Sequence, residues 1–211
     1  MNAATTIVDR RSEIETAIAK AEEGTCGEIV VAFARQAGRY EREQAFVAFG
    51  AALAAWTILW RLLNIQTFIG LALALVGGYL IGHLLALFVP YIPMLLAHQK
   101  RRRQVAERAA LVAFHDLHVT ATRAHTGILL YIAYNERTVV VLGDGKIAAK
   151  VTQADWNAVR NAILEGMRSQ KPVDGIVEGI LYAGGLLAQH FPPGAHNRNE
   201  LPNSLYVVRG S

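Results

Sequence analysis

The sequence predicts an α/β fold: a small mixed sheet with helices on both faces, interrupted by a two-helix transmembrane hairpin. Three observations carry this. The chain has 211 residues, 53% of them hydrophobic, and the apolar excess is concentrated between Phe46 and Leu96. The flanking sequence alternates helical periodicity with short apolar runs of strand length. The first such run, Glu28 to Arg35, precedes the apolar stretch whereas its partners follow it, so one sheet has to be assembled from both sides of the insertion. The chain therefore divides into residues 1–43, the first part of an α/β domain, residues 44–99, the hairpin, and residues 100–211, the remainder of that domain.

From about Asp9 to Glu23, Ile14, Ala17, Ile18 and Ala21 share one face and charges occupy the other, which predicts an amphipathic helix. Gly24, Cys26 and Gly27 break it. Between Glu28 and Arg35 the sequence is continuously apolar, as expected for a strand covered on both faces. Cys26 is the single cysteine, so no disulfide forms within the chain, and it reads as a structural thiol. Asp9, Glu13, Glu15, Glu22 and Glu23 are wrong for a signal peptide. Membrane targeting is expected to come from the internal helices.

The first apolar segment is Ala45 to Trp60, extended by Leu62, Leu63 and Ile65 if Arg61 snorkels to the interface. The second runs from Thr67 to about Leu87 and stays apolar to Leu96. Each approaches the roughly 20 residues needed to cross a bilayer. A short connection around Asn64 and Gln66 makes the helices antiparallel neighbours. Gly70, Ala74, Gly78 and Gly82 recur at spacing four and form a small-residue ridge, matched by Ala48, Ala51, Ala52 and Ala55 on the first helix. Such surfaces let backbones approach closely where no hydrophobic effect drives them together. The expectation is packing within the chain, with self-association as the alternative. Trp56, Trp60 and Tyr91 suit headgroup anchoring, and Pro90 and Pro93 should end or bend the second helix. His83, alone among apolar neighbours, is read as a packing residue.

Arg39 and Arg42 precede the hairpin, Lys100-Arg101-Arg102-Arg103 follows it, and only Arg61 lies between. The positive-inside rule then puts the soluble domain and both termini in the cytoplasm of an integral membrane protein, of the bacterial inner-membrane type. The net charge of +4 is modest and its basic residues gather at the hairpin, which argues against nucleic acid. The expected partners are the lipid bilayer and a membrane protein.

Beyond the hairpin, Gln104 to about His118 is helical by period. Thr126 to Tyr134 and Thr138 to Leu142 are strands joined by the turn Asn135-Glu136-Arg137. Gly143-Asp144-Gly145 ends the second strand. Thr152 and Asp155 have capping-box spacing for a helix carrying Trp156, Val159, Ile163 and Met167. Pro172 starts another helix, to about His190, stopped by Phe191-Pro192-Pro193-Gly194. Leu205 to Val208 is a short edge strand.

The segments His115 to Arg123, Thr126 to Leu130, Asn135 to Arg137 with Val139 to Asp144, Trp156, Gly175 to His190, Phe191-Pro192 and Asn199 to Pro202 together resemble the TPM-domain family. That family is named for thylakoid, photosystem II repair and receptor-modulating proteins. The similarity covers Arg103 to Asn203 well and Glu13 to Arg35 loosely. It implies a three-layer αβα sandwich and one of two roles. Some members resemble acid phosphatases, and several bind a divalent metal near acidic loop residues, which makes calcium or magnesium the candidate cofactor here. Others serve assembly or repair of membrane complexes.

Candidate chemistry is sparse. Asp144, between two glycines at a strand end, is the candidate metal ligand, with a turn cap as its plain alternative. Arg123, Glu136 and Arg137 are candidates for an anion site or for structural pairs. Glu136 and Arg137 lie at the far end of the strand from Asp144, roughly 20 Å away, and cannot share a centre with it. His115, Asp116, His118 and His125 are weaker metal candidates. There is no Gly-x-Ser-x-Gly, P-loop or Cys-x-x-Cys, so the sequence does not establish an enzyme and no cofactor is certain. The expected function is a membrane-anchored, non-catalytic interaction or assembly and repair factor. The alternative is a divalent-metal-assisted acid phosphatase.

Overall fold

The structure is a computed structural model that describes residues 3–61, 64, 67–89, 91–193 and 199–208. The chain separates into two compact units, one formed by residues 1–38 with 103–211 and the other by residues 39–102.

In the first unit, α1 (Ala3–Asp9) and α2 (Arg11–Glu22) lead into β1 (Glu28–Ala34). After the insertion come α6 (Gln99–Asp116, which begins in the other unit), β2 (Gly127–Ala133), β3 (Thr138–Gly143), a single helical turn α7 (Gly145–Ala148), α8 (Gln153–Arg168), α9 (Pro172–His190) and β4 (Leu205–Val208). The strands form a mixed sheet in the order β3-β2-β1-β4. β1 runs parallel to β2, with Glu28 opposite Gly127 and Ala34 opposite Ala133. It runs parallel to β4 on its other side, and β2 and β3 form the antiparallel hairpin. The strand before the insertion is thus the centre of a sheet whose neighbours both follow it.

Strand alternation splits the core in two. Ile29, Val31 and Phe33 with Ile128, Leu130 and Ile132 face α2, α8 and α9, whose contributions include Ile14, Ile18, Ile163, Ile176 and Ile180. Val30, Ala32 and Ala34 with Leu129 and Tyr131 face α6, which meets them with Ala106, Ala110 and Ala113. Every residue of β1 and of β2 is buried, which explains their continuous apolar runs. This is the three-layer αβα sandwich. The Thr152–Asp155 capping box that opens α8 is present in full, and Pro172 stands in the first turn of α9.

The second unit holds α3 (Glu41–Arg61), α4 (Phe68–Phe88) and α5 (Tyr91–Leu96). α3 and α4 are long and apolar enough to cross a membrane, with mean hydropathy 1.3 and 2.1. Thr67 caps α4 by accepting a hydrogen bond from the Gly70 N–H at 3.3 Å. Pro90, Leu62, Leu63, Ile65 and Gln66 lie outside the described residues, and Pro93 sits buried inside α5. Two boundaries differ from the sequence expectation. α3 starts at Glu41 and α6 at Gln99, both earlier than apolar periodicity alone indicates, because Glu, Gln, Lys and Arg are good helix formers that extend an apolar helix without lengthening its apolar signature.

Candidate functional site

The starts of β1 and β2 and the end of β3 lie side by side, since Glu28 pairs with Gly127 and Ile128 with Gly143. Gly127 is required there: a Cβ would run into the carbonyl of Val119. Around this end of the sheet gather several of the first unit's titratable groups with specific partners.

Asp144 caps α7. Its Oδ1 accepts the Gly145 N–H at 2.6 Å, and its own N–H donates to the Gly127 carbonyl at 2.9 Å. Its Oδ2 lies 3.1 Å from Nδ1 of His125. Asp144 is mostly buried and His125 mostly exposed, at 13% and 59% of their side-chain surface. His125 adopts a left-handed backbone, φ 54°, stabilised by its N–H donating to the Thr122 carbonyl. For a hard divalent cation this is a poor donor set. Calcium and magnesium take oxygen ligands, and here one Asp144 oxygen is held by an N–H and the other faces a ring nitrogen. Among the described residues no group of three or more His, Cys, Asp or Glu side chains is arranged to hold a metal ion. His115 and Asp116 form their own exposed contact at 3.7 Å, and Nδ1 of His118 lies 2.8 Å from the Asp116 carbonyl oxygen.

A set of carboxylates that is not among the sequence candidates lies at the same end. Glu28 accepts the N–H groups of Glu200 and Leu201 at 3.0 and 3.3 Å. Glu22 accepts the Ile29 N–H at 2.6 Å, and Glu15 accepts the Leu205 N–H at 3.2 Å. Glu200 in turn accepts the Arg123 N–H at 2.7 Å, with Arg123 Nε 3.7 Å from its other oxygen. Carboxylates from α2 and β1 thus fasten the segment 199–205 that delivers β4. Burial pushes the Glu22 carboxyl up to about 8, against the Ile29 hydrogen bond, with further upward pressure from Glu28 and a downward pull from the Asn203 side chain. Glu28 is also raised, by burial above all, against the two N–H groups it accepts and with the Glu200 charge adding to the rise. Two signals in the sequence point to these residues. Glu22 continues the buried series Ile14, Ile18 at spacing four, and Glu28 opens a strand that is otherwise apolar.

Glu136 and Arg137 occupy the opposite end of β3, so the structure does not unite them with Asp144. Glu136 is 5% exposed, and its Oε1 accepts the Ala37 N–H at 3.0 Å. That bond fastens the chain just after β1 to the β2–β3 turn. Burial, then the Glu136 charge, pushes the Tyr131 phenol up to about 12. Arg137 takes a left-handed turn conformation, φ 49°. Cys26 is a free, half-buried thiol packed against the core beside α9.

In the second unit, Ala74, Gly78 and Gly82 are buried on α4 and Ala48 and Ala52 on α3. A Cβ on Gly78 would lie 2.9 Å from the Ala51 carbonyl and the Ala52 Cα, and one on Gly82 would lie 2.9 Å from the Ala48 Cα. Gly70 is half-buried in the first turn of α4. The ridge and the alanine face therefore meet within one chain. Trp56 and Trp60 stack at 5.7 Å between ring centroids, and the His83 ring lies parallel to Tyr79, 6.2 Å away. The opposite faces are apolar and uncovered: Phe46, Phe49, Phe68, Leu73, Ile81 and Phe88 are all more than half exposed.

Among known proteins, the family model described as "TPM domain" matches residues 86–185. The match spans α5 to most of α9 and leaves out β1 and β4, which complete the same sheet. No curated protein matches the chain. Among solved structures, the BA42 protein from the psychrophilic bacterium Bizionia argentinensis is similar, with a TM-score of 0.59 and 23% identity over 96% of this chain and 94% of that one. At that identity the likeness is one of fold.

Proposed function

We propose that this chain, which carries a TPM domain, is a membrane-anchored interaction or assembly and repair factor for a membrane protein or complex, acting without catalysis. The observation that carries the reading is the pair α3 and α4. Only 17% and 22% of their most apolar windows are buried within the protein. Helices so apolar and so uncovered are costly in water and at home in lipid. A two-helix insertion also returns the chain to the side it left, as the pairing of β1 with β2 requires. Two of the side chains read for chemistry have structural duties: Asp144 caps a helix and Glu136 holds Ala37.

The test is cross-linking in native membranes followed by identification of the adducts. Recovery of a membrane protein is expected, and recovery of lipid alone would count against the interaction role. Orientation has its own experiment. In a Cys26→Ser background, Asn64→Cys should react with an impermeant maleimide added outside intact cells, and outside access to a tag after Ser211 would overturn the cytoplasmic assignment.

One observation favours the phosphatase alternative, the His125–Asp144 pair at the sheet end. We expect hydrolysis of a generic phosphomonoester with magnesium or calcium to be the same for Asp144→Asn and the unaltered protein. Asp144→Ala should instead lower stability by about 1 kcal/mol through loss of the α7 cap. Metal-dependent hydrolysis that disappears in Asp144→Asn, with stability kept, would restore the enzyme reading.

A further inference from the structure

We propose that the charged end of the apolar unit is a binding site for anionic phospholipid headgroups, a refinement that rests on the membrane-anchored reading above. Gly82 packs on Ala48 and Gly78 on Ala52 and Ala55, so α3 and α4 are antiparallel and the start of α3 lies beside the end of α4. At that end the chain continues into α5, which packs on both helices, burying Pro93 and Met94 and leaving Tyr91, Leu95 and Leu96 half exposed or more. An aromatic residue and two leucines on a short helix next to a run of cations is the composition of a segment lying at the boundary between hydrocarbon and headgroups.

The cations come from both sides of the hairpin. Arg39 and Arg42 are exposed at the start of α3, and Lys100 is exposed with Arg101 and Arg102 half exposed at the start of α6. Among the described residues none of these five side chains is ion-paired, and Nε of Arg102 is buried without a hydrogen-bond partner. Arg42 rests over the Phe46 ring at 5.7 Å, the contact of a side chain that spans apolar and polar layers. The acidic residues of the same end are Glu41, which is exposed, and Glu43, which is 7% exposed with Oε2 buried and without a hydrogen-bond partner among the described residues, so five cations face two carboxylates. α6 has no acidic residue in its first turn, although cations are disfavoured at a helix start. An external anion relieves that conflict. Of the phosphate-bearing partners, a lipid headgroup is the one that matches both the charge and the apolar residues of α5 and α3.

Each cation held at an anionic leaflet contributes roughly a fivefold gain in association, so several acting together give a strong preference. The test uses the purified full chain in neutral detergent, offered short-chain phosphatidylglycerol and phosphatidylcholine in equal amounts, with bound lipid counted by native mass spectrometry. The expected result is about tenfold or greater retention of phosphatidylglycerol, weakened by added salt. The variant R39Q/R42Q/K100Q/R101Q should lose the preference, and R39K/R42K/K100R/R101K, with the charge retained, should keep it. Equal retention of both lipids, an unchanged preference in the glutamine variant, or displacement of the lipid by inorganic phosphate would each overturn the proposal. Alkaline carbonate extraction separates this outcome from the anchoring itself. A chain that stays in the membrane without lipid preference refutes only the headgroup site, whereas a chain that is extracted refutes the anchor as well.

Discussion

Gly82→Leu should disrupt the pairing of α3 with α4, at a cost near the upper end of the 1–3 kcal/mol, roughly, that overpacking a tight core incurs. A Cβ at position 82 would lie 2.6 Å from the Ala51 Cβ, 2.9 Å from the Ala48 Cα and 3.1 Å from the Val47 carbonyl. Two of those three atoms are backbone, so no rotamer change relieves the clash and the helices must move apart. Once apart, they lose the close backbone contact that replaces the hydrophobic effect between helices in lipid. Gly77→Leu is the matched control. Nothing lies within 4 Å of its Cβ position, and leucine is the better helix former, so that variant should be neutral or slightly stabilising. Reversible unfolding in mixed micelles, followed by circular dichroism, measures both. Equal stability of the two variants would show that the ridge is not packed within the chain. The comparison also addresses the self-association alternative, because a ridge used only between copies would leave the monomer indifferent to Gly82→Leu.

Residues whose role shows in periodicity were legible before any coordinates. Ile14 and Ile18, the runs of β1 and β2, the Thr152–Asp155 cap and the glycine ridge all repeat a pattern set by helix or strand geometry. The insertion was legible for a topological reason: β1 is too apolar to stand alone, and its partners come later in the chain. Roles set by partners distant in sequence were not legible. Glu28 meets Glu200 and Leu201, Glu136 meets Ala37, and Asp144 meets His125. Each of those pairs is created by the sheet, and a single sequence holds no periodicity that announces them. Asp144 stands out in the sequence for the glycines around it, and in the fold it caps a one-turn helix that begins at Gly145. The short α7 leaves no mark in the sequence, because four residues are too few to display a helical repeat.

The carboxylate set makes a pH dependence the sharpest test of the first unit. Burial lifts Glu22 from its ordinary value of 4.5 to about 8, so across neutral pH the folded protein keeps a proton that the unfolded chain has released. Its contribution to stability is therefore complete below about pH 4.5 and is lost progressively as the pH rises through about 8. At about 1.4 kcal/mol per pH unit that window sets a ceiling of several kcal/mol, and relaxation around a partly hydrated group reduces it to about 2. Glu28, also raised, acts in the same direction. Glu15, lowered by its hydrogen bond from Arg11, acts in the opposite one and weakens the fold toward acid. The contribution of Glu22 is isolated by Glu22→Gln, which preserves an acceptor for the Ile29 N–H and cannot ionise. The variant should match the unaltered protein near pH 4 and exceed its stability by about 2 kcal/mol near pH 9. The structural consequence is local, because ionisation sets the Glu22 charge against the Glu28 carboxylate, which holds the Glu200 and Leu201 N–H groups of the segment 199–205. Alkaline pH should speed proteolysis of that segment in the unaltered chain and leave Glu22→Gln resistant. Parallel stability profiles for the two proteins from pH 4 to pH 9 would mean that Glu22 is ionised in the fold and that the latch on β4 is insensitive to its proton.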